Sequence, residues 1–329
     1  MKKLFLAPVL LFLVLVVPAL VWWNGARGAP SANSEERRVV ITRGASASQV
    51  ASTLKEAGVV KNALAFRVYT RITGKAKTLP TGEFIIPMNL SLAGVIDKIL
   101  EGPAQLWVTV PEGLRREQIP GRFIDALELQ TEKAQNFRLE FLAESQGLEG
   151  FLFPDTYLIP RDVTGTQAVS LMRNTFDKRF SLQGGEFELA EVVALASIIE
   201  REAITDEERP VVAGVFMNRL AAGMPLQADA TVQYAVANAR CGVSDIQCNW
   251  WPKGLTREDL QTRSAFNTYQ NAGIPPAPIA NPGLSSLEAA AGPADTDFFY
   301  YIHDSSGQIH FAETLSEHNA NVAKYLGKF

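Results

Sequence analysis

The longest uninterrupted apolar run lies at the start of the chain. Met1-Lys2-Lys3 precedes Leu4 to Trp23, a stretch without charge in which only Pro8 and Pro18 interrupt. As a helix rising ~1.5 Å per residue it would span about 30 Å, the thickness of a bilayer core. Lys2 and Lys3 favour a cytoplasmic N-terminus and Trp22-Trp23 fits an interfacial anchor on the far side. A single transmembrane helix within residues 1–28 is therefore expected, with the remainder outside the cytoplasmic (inner) membrane. A cleaved signal peptide is the alternative, because Ala26 and Gly28 are small residues near a cut. The run is longer than the ~7 to 15 residues of a signal core, which favours the anchor. On both readings the rest of the chain is exported.

After the run the pattern turns polar, and Pro, Ser, Asn and Glu over residues 29–37 read as a flexible tether. Val39-Val40-Ile41 is a strand candidate, Gly44 and Ser46 give a turn and a cap, and Val50, Leu54 and Val59 start a helical pattern broken at Gly58. A helix over Ala63 to Ile72, a strand over Gly82 to Pro87 and a helix over Leu92 to Leu100 follow, so residues 38–105 form a small α+β module. The next stretch partly repeats the opening. Val39 to Gly44 with Gln49-Val50 matches Val108 to Gly113 with Gln118-Ile119 at equal offsets.

Residues 106–329 are expected to form a second, mixed α+β domain. Helical spacing dominates from Lys133 to Leu220, interrupted by a loop from Gly150 to Asp162 and by Gly184-Gly185. Pro275-Pro276, Pro278 and Pro282 predict a stiff extended segment suited to lining a groove. Strands near Phe298 to His303 and Ile309 to Phe311 precede a closing helix from Ser316 to Leu326.

Composition narrows the function classes. A net charge of -4 with Lys and Arg spread along the chain gives no phosphate-tracking surface, so nucleic acid is set aside as a partner. Cys241 and Cys248 stand close together in an exported segment, where an oxidising environment favours a disulfide; without nearby His partners they make a poor metal site. His303, His310 and His318 are not spaced as a helical zinc pair and read as structural hydrogen-bonding groups. No nucleophile elbow, phosphate-binding loop or dinucleotide fingerprint is present, and neither a metal nor a cofactor is expected.

The segment LAEVVALASIIEREA, Leu189 to Ala203, is apolar almost all round and is expected to run through a core. Glu200 extends the stripe of Leu189, Val192 or Val193, and Ala196, whereas Glu202 points roughly to the opposite side. Burial disfavours the charged form of a carboxyl, which suits a general acid near neutral pH. Glu200 is the candidate acid on this argument. It also begins a charged helix end with Arg201, Glu202 and Asp206, which is the plain structural reading.

LASIIEREA, then ERPVVAGVFMNRLAAGMPLQADATVQYA, then FNTYQNAGIPPAPIANPG, with LEGFLFPDTY upstream and GQIHFAETLSEHN at the end, resembles the endolytic transglycosylase family known as MltG or YceG-like. The resemblance implies a membrane-anchored α+β protein with a LysM-like module over residues 38–105 and a catalytic domain over 106–329. It implies cleavage of the MurNAc-GlcNAc β-1,4 bond of peptidoglycan, with 1,6-anhydro ends and no cofactor, on nascent strands whose elongation is thereby terminated. One catalytic Glu is implied, placed on Glu200, with Glu202 as the second candidate acid. Gln227, Asp229, Thr231, Tyr234, Asn267, Thr268 and Tyr269 are the implied glycan-binding residues, while Glu149, Asp155 and Tyr157 read as braces. Glycan polymerases and transpeptidases of wall synthesis are the implied partners.

The chain departs from the family pattern at Ala230, where Pro is usual, at Phe266, where Tyr is usual, and in the loop from Cys241 to Trp250-Trp251, whose tryptophans read as packing rather than sugar platforms. Two further readings stand beside transglycosylation: a peptidoglycan-binding scaffold that needs no catalysis, and a hydrolase with a second carboxylate such as Glu149, Asp155 or Asp229 about 5 to 9.5 Å from the first.

Overall fold

The computed structural model describes residues 6–42, 44–184 and 187–327, with side chains from residue 16 onward. The first helix, α1 (Leu6–Ala26), covers most of the predicted anchor. Side chains for its first half lie outside the described residues, and among the described residues no helix is long and apolar enough to cross a membrane.

The described residues up to Val108, together with Tyr157–Asp162, form one compact unit. Strand β1 (Glu36–Ile41) pairs antiparallel with β2 (Gly82–Pro87), with Val39 opposite Phe84 and Ile41 opposite Gly82. The period of two decides what is buried: Val39, Ile41, Phe84 and Ile86 are inside, and Val40 and Ile85 outside. Three helices, α2 (Ala47–Glu56), α3 (Ala63–Ile72) and α4 (Leu92–Leu100), start at side-chain caps from Ser46, Asn62 and Ser91. They bury Leu54, Phe66 and Ile96 with the sheet. Strand β3 (Gln105–Thr109) pairs antiparallel with β2, and β4 (Thr156–Pro160) completes the order β1-β2-β3-β4. The segment predicted as a loop from Gly150 to Asp162 thus contains a strand, contributed by a later part of the chain.

The second unit holds α5 (Ile119–Leu127), α6 (Thr131–Glu144), α7 (Gly165–Arg179), α8 (Leu189–Glu202), α9 (Arg209–Ala221), α10 (Asp229–Arg240), α11 (Leu284–Ala291) and α12 (Leu315–Asn321). A hairpin of β5 (Tyr300–His303) and β6 (Ile309–Ala312) precedes α12. Helix α8 is the axis of this unit. Val192 to Ile199 are buried without a break, packed with Val212, Phe216, Ile279 and Leu287. The end of the proline-rich segment packs into the core beside α8: Ile279 to Asn281 are buried, and the Ile279 N–H donates to Ser197 Oγ at 2.9 Å.

The short sequence repeat has a local cause. Gln49 Oε1 accepts the Ser46 N–H at 2.7 Å, and Gln118 Oε1 accepts the Arg115 N–H at 3.1 Å. Each follows a glycine with positive φ, Gly44 at 80° and Gly113 at 71°. In both places a strand and a left-handed glycine lead into a helix, and a Gln side chain accepts the backbone N–H three residues before it.

Candidate active site

Two glutamates two residues apart at the end of α8 meet different neighbours. Glu200, with its side chain 7% exposed, accepts from Gly283 N at 3.0 Å and Ser286 Oγ at 2.8 Å, and pairs with Arg209 at 3.3 Å. Arg209 also donates to Ser286 at 2.8 Å and pairs with Asp206. Beside them Glu112 is half exposed, and burial followed by the charge of Glu200 raises its pKa while Arg209 lowers it. Glu200 is a junction between α8, α9 and α11, with both oxygens occupied by fixed protein donors.

Glu202 opens on a cavity of about 360 Å³ that Glu200 does not line. Its Oε2 accepts from the Tyr301 hydroxyl at 3.0 Å, and its Oε1 faces the Ala230 N–H at the start of α10 at 3.4 Å. Burial raises its pKa above the ordinary carboxylate value, and Asp229 adds to the rise; the hydrogen bonds from Tyr301 and Ala230, and His303, oppose it. The net direction favours the protonated acid. Tyr301 is itself raised well above its ordinary value, by burial and then by Glu202.

The predicted glycan-binding residues divide. Gln227, Asp229 and Tyr269 line the cavity with Glu202, and the Tyr269 hydroxyl donates to Asp229 at 2.7 Å. Gln227 holds φ at 51°, a left-handed conformation uncommon for a non-glycine residue. Thr231, Asn267 and Thr268 are buried and satisfied by the fold. Thr231 and Thr268 share a hydroxyl contact at 2.8 Å, and the Asn267 amide donates to the carbonyls of Leu260 and Thr262. They fasten the loops that carry Gln227 and Tyr269. Tyr234 lies against Phe266 with ring centres 4.7 Å apart and under the Arg115 guanidinium, outside this cavity.

The remaining lining includes Arg219, Tyr300, Tyr301 and His318, to which the sequence motifs assigned no role in binding glycan. Of these, His318 lies in the closing GQIHFAETLSEHN block and Arg219 in the ERPVVAGVFMNRLAAGMPLQADATVQYA block, whose matches were the available signal, while Tyr300 and Tyr301 lie just before the closing block. Buried Arg219 donates to the carbonyls of Phe299 at 2.7 Å and Leu226 at 2.8 Å and so ties the hairpin to the turn before Gln227. His303 and His310 sit in carboxylate contacts with Glu208 and Asp304. His318 differs: its Nδ1 is buried without a partner, and burial lowers its pKa.

Asp155 pairs with Arg179 at 2.9 Å, and Glu149 with Asn281 at 2.7 Å, so both act as braces. Cys241 and Cys248 are bonded, with Cα atoms 5.9 Å apart. Trp250 is buried under Arg115, and Trp251 donates to Gln118 and lies under Arg201, so both tryptophans pack.

The YceG-like family pattern matches residues 39–324. An endolytic murein transglycosylase of Bacillus subtilis (strain 168) is 31% identical over 87% of this chain and 84% of its own length. One of Streptococcus pneumoniae (strain R6) is 26% identical over 90% of this chain, which spans 59% of that relative. The crystal structure of a yceG-like protein of Listeria monocytogenes superposes with a TM-score of 0.59 at 28% identity, covering 87% of this chain and 98% of that one.

Proposed function

The chain belongs to the YceG-like family, and from that premise we propose that it is an endolytic lytic transglycosylase of peptidoglycan in which Glu202, rather than Glu200, is the acid. The observation that carries the choice is the cavity. Glu202 enters it with a raised pKa beside Gln227, Asp229 and Tyr269, whereas the Glu200 carboxylate is committed to Arg209, Ser286 and Gly283. Protonated Glu202 gives its proton to the oxygen of the MurNAc-GlcNAc β-1,4 bond as that bond to the anomeric carbon breaks. Its carboxylate then takes the proton of the muramoyl 6-hydroxyl, whose oxygen closes the 1,6-anhydro ring, so no water is consumed. The negative charge of Asp229 suits the positive charge growing on the sugar ring.

The proposal extends to context. The apolar run before Trp23 anchors the chain in the cytoplasmic membrane, the module over residues 38–105 binds glycan, and the cut falls on nascent strands near glycan polymerases and transpeptidases, ending elongation. The run itself, its flanking lysines and the LysM-like resemblance support this.

The test incubates the full chain and its Glu202→Gln and Glu200→Gln forms with uncrosslinked glycan strands and weighs the products. Anhydro ends, lighter by one water than hydrolysis products, are expected, with a rate at least about 10²-fold lower for Glu202→Gln. Reducing ends would assign hydrolysis with Asp229 as base. Loss of activity only in Glu200→Gln would return the acid to Glu200, and no cleavage by any form would favour the scaffold.

A further inference from the structure

A second cavity, of about 790 Å³, shares no lining residue with that of Glu202. Helices α5 and α6 form two walls and the disulfide loop with Trp250 forms another. Arg138, only 8% exposed, reaches it from α6. Its hydrogen bond from Nη1 to the Glu117 carbonyl is a long one, 3.4 Å, although a guanidinium carries five donors. Burial weakens its hold on its proton, with Asp125 opposing. Glu117, the other acid of the wall, is engaged by Arg115 at 3.1 Å and Arg116 at 3.3 Å. Arg122 and Arg138 therefore face Asp125 alone, two cations against one anion, and one positive charge is left over. A desolvated guanidinium with spare donors matches a carboxylate bidentately.

We propose that this cavity binds the peptide carried by the glycan strand, with a peptide carboxylate on Arg138. The proposal rests on the substrate reading above. Gln118 spends its carbonyl on Arg115 and Trp251, leaving its NH₂ group for a peptide carbonyl. Leu139 and Ile246, 51% and 72% exposed, offer apolar surface to peptide side chains. The reach fits. Helix α10 begins at Asp229 on the Glu202 cavity and ends at Arg240, next to Cys241. Eleven helical steps cover about 17 Å. Cys248, 5.9 Å from Cys241 between Cα atoms, lies in the wall of the second cavity. A peptide of about five residues extends to roughly 17 Å, about the length of α10, so one hanging from a sugar at or beside the cut reaches along α10 towards the second cavity.

The experiment has a binding arm and a cleavage arm. Titration of the full chain with muramoyl pentapeptide is expected to show binding that falls about tenfold when the peptide carboxylates are amidated, and equally for Arg138→Met or the milder Arg122→Gln. Cleavage of peptide-bearing strands by these variants is expected to show KM raised about tenfold with kcat unchanged, and cleavage of strands stripped of peptide to match the unaltered chain. Equal binding of acid and amide, no binding, or equal losses on both kinds of strand would overturn the proposal. Binding without any cleavage would keep it and sink the enzymatic reading instead, since titration does not depend on turnover.

Discussion

Glu200 and Glu202 have the same chemistry and nearly the same place in the chain, and their partners separate them. Tyr301 is the partner that tunes Glu202, since its hydroxyl donates to Oε2 and favours the carboxylate. Removing it in Tyr301→Phe leaves the desolvation and the charge of Asp229 unopposed on that side, so the pKa of Glu202 rises further. The acid then keeps its proton to higher pH, and the alkaline limb of the pH–rate profile moves up by as much as about one unit, the worth of one hydrogen bond. A limb that stays put or moves down would mean that another group titrates there. The proposed choice of Glu202 over Glu200 rests on partners that the sequence does not display: a stripe argument needs one apolar face, and α8 is buried all round from Val192 to Ile199. Gln227, Asp229 and Tyr269 were legible as a set because the motif blocks bring their loops together; the same blocks contain Thr231, Asn267 and Thr268, which hold those loops from within.

Elements in this protein are positioned by close approaches that side chains would block. Gly150 has φ at 87°, and a Cβ there would lie 2.5 Å from Pro278 and 2.7 Å from Val193 of α8. Gly150→Ala is expected to cost about 2–5 kcal/mol, the sum of a left-handed alanine and an overpacked contact. Gly147→Ala, with φ at 77° and open space, should cost only the conformational part, about 1–2 kcal/mol. Urea midpoints of the two variants check this, and equal losses would show that the contact with Pro278 and Val193 is immaterial. The glycine reads from sequence only as punctuation, because its constraint comes from a residue far along the chain. Strand β4 escaped for a related reason, being short, ending in Pro160 and pairing with a strand distant in sequence. In contrast α3, β2 and α4 carry their period and their stop signals within themselves, and their limits coincide with the pattern. The proline segment was legible as extended, but its burial depends on Ser197 and the Asn281 side chain, neither of which its own composition announces.

At the scale of the whole larger unit, stability converges on a buried acid, Glu149, that braces the fold. Asn281 accepts from Gly150 N at 2.9 Å and Leu152 N at 3.0 Å, donates to Leu114 O at 3.0 Å, and donates to Glu149 at 2.7 Å. Glu149 in turn accepts the Arg116 N–H at 3.0 Å, so three stretches far apart in sequence meet at one carboxyl. Burial, reinforced by Glu117, pushes the pKa of Glu149 up to about 8 from an ordinary 4.5. Between those values the folded chain keeps a proton that the unfolded chain has released, so the contribution of this group is complete below about pH 4.5 and is lost as pH rises towards 8. The slope is at most about 1.4 kcal/mol per pH unit. Glu149→Gln keeps an acceptor for Arg116 and Asn281 but cannot ionise, so its unfolding free energy should gain on that of the unaltered chain as pH rises. Glu202, also raised, adds a fall of its own to both proteins and cancels in the difference. Urea unfolding at pH 5, 6, 7 and 8 measures that difference. If it stays constant, Glu149 does not titrate within the fold and the junction is held by neutral packing around Asn281; if it grows, neutral pH already strains the junction that aligns α8 with the chain before and after it.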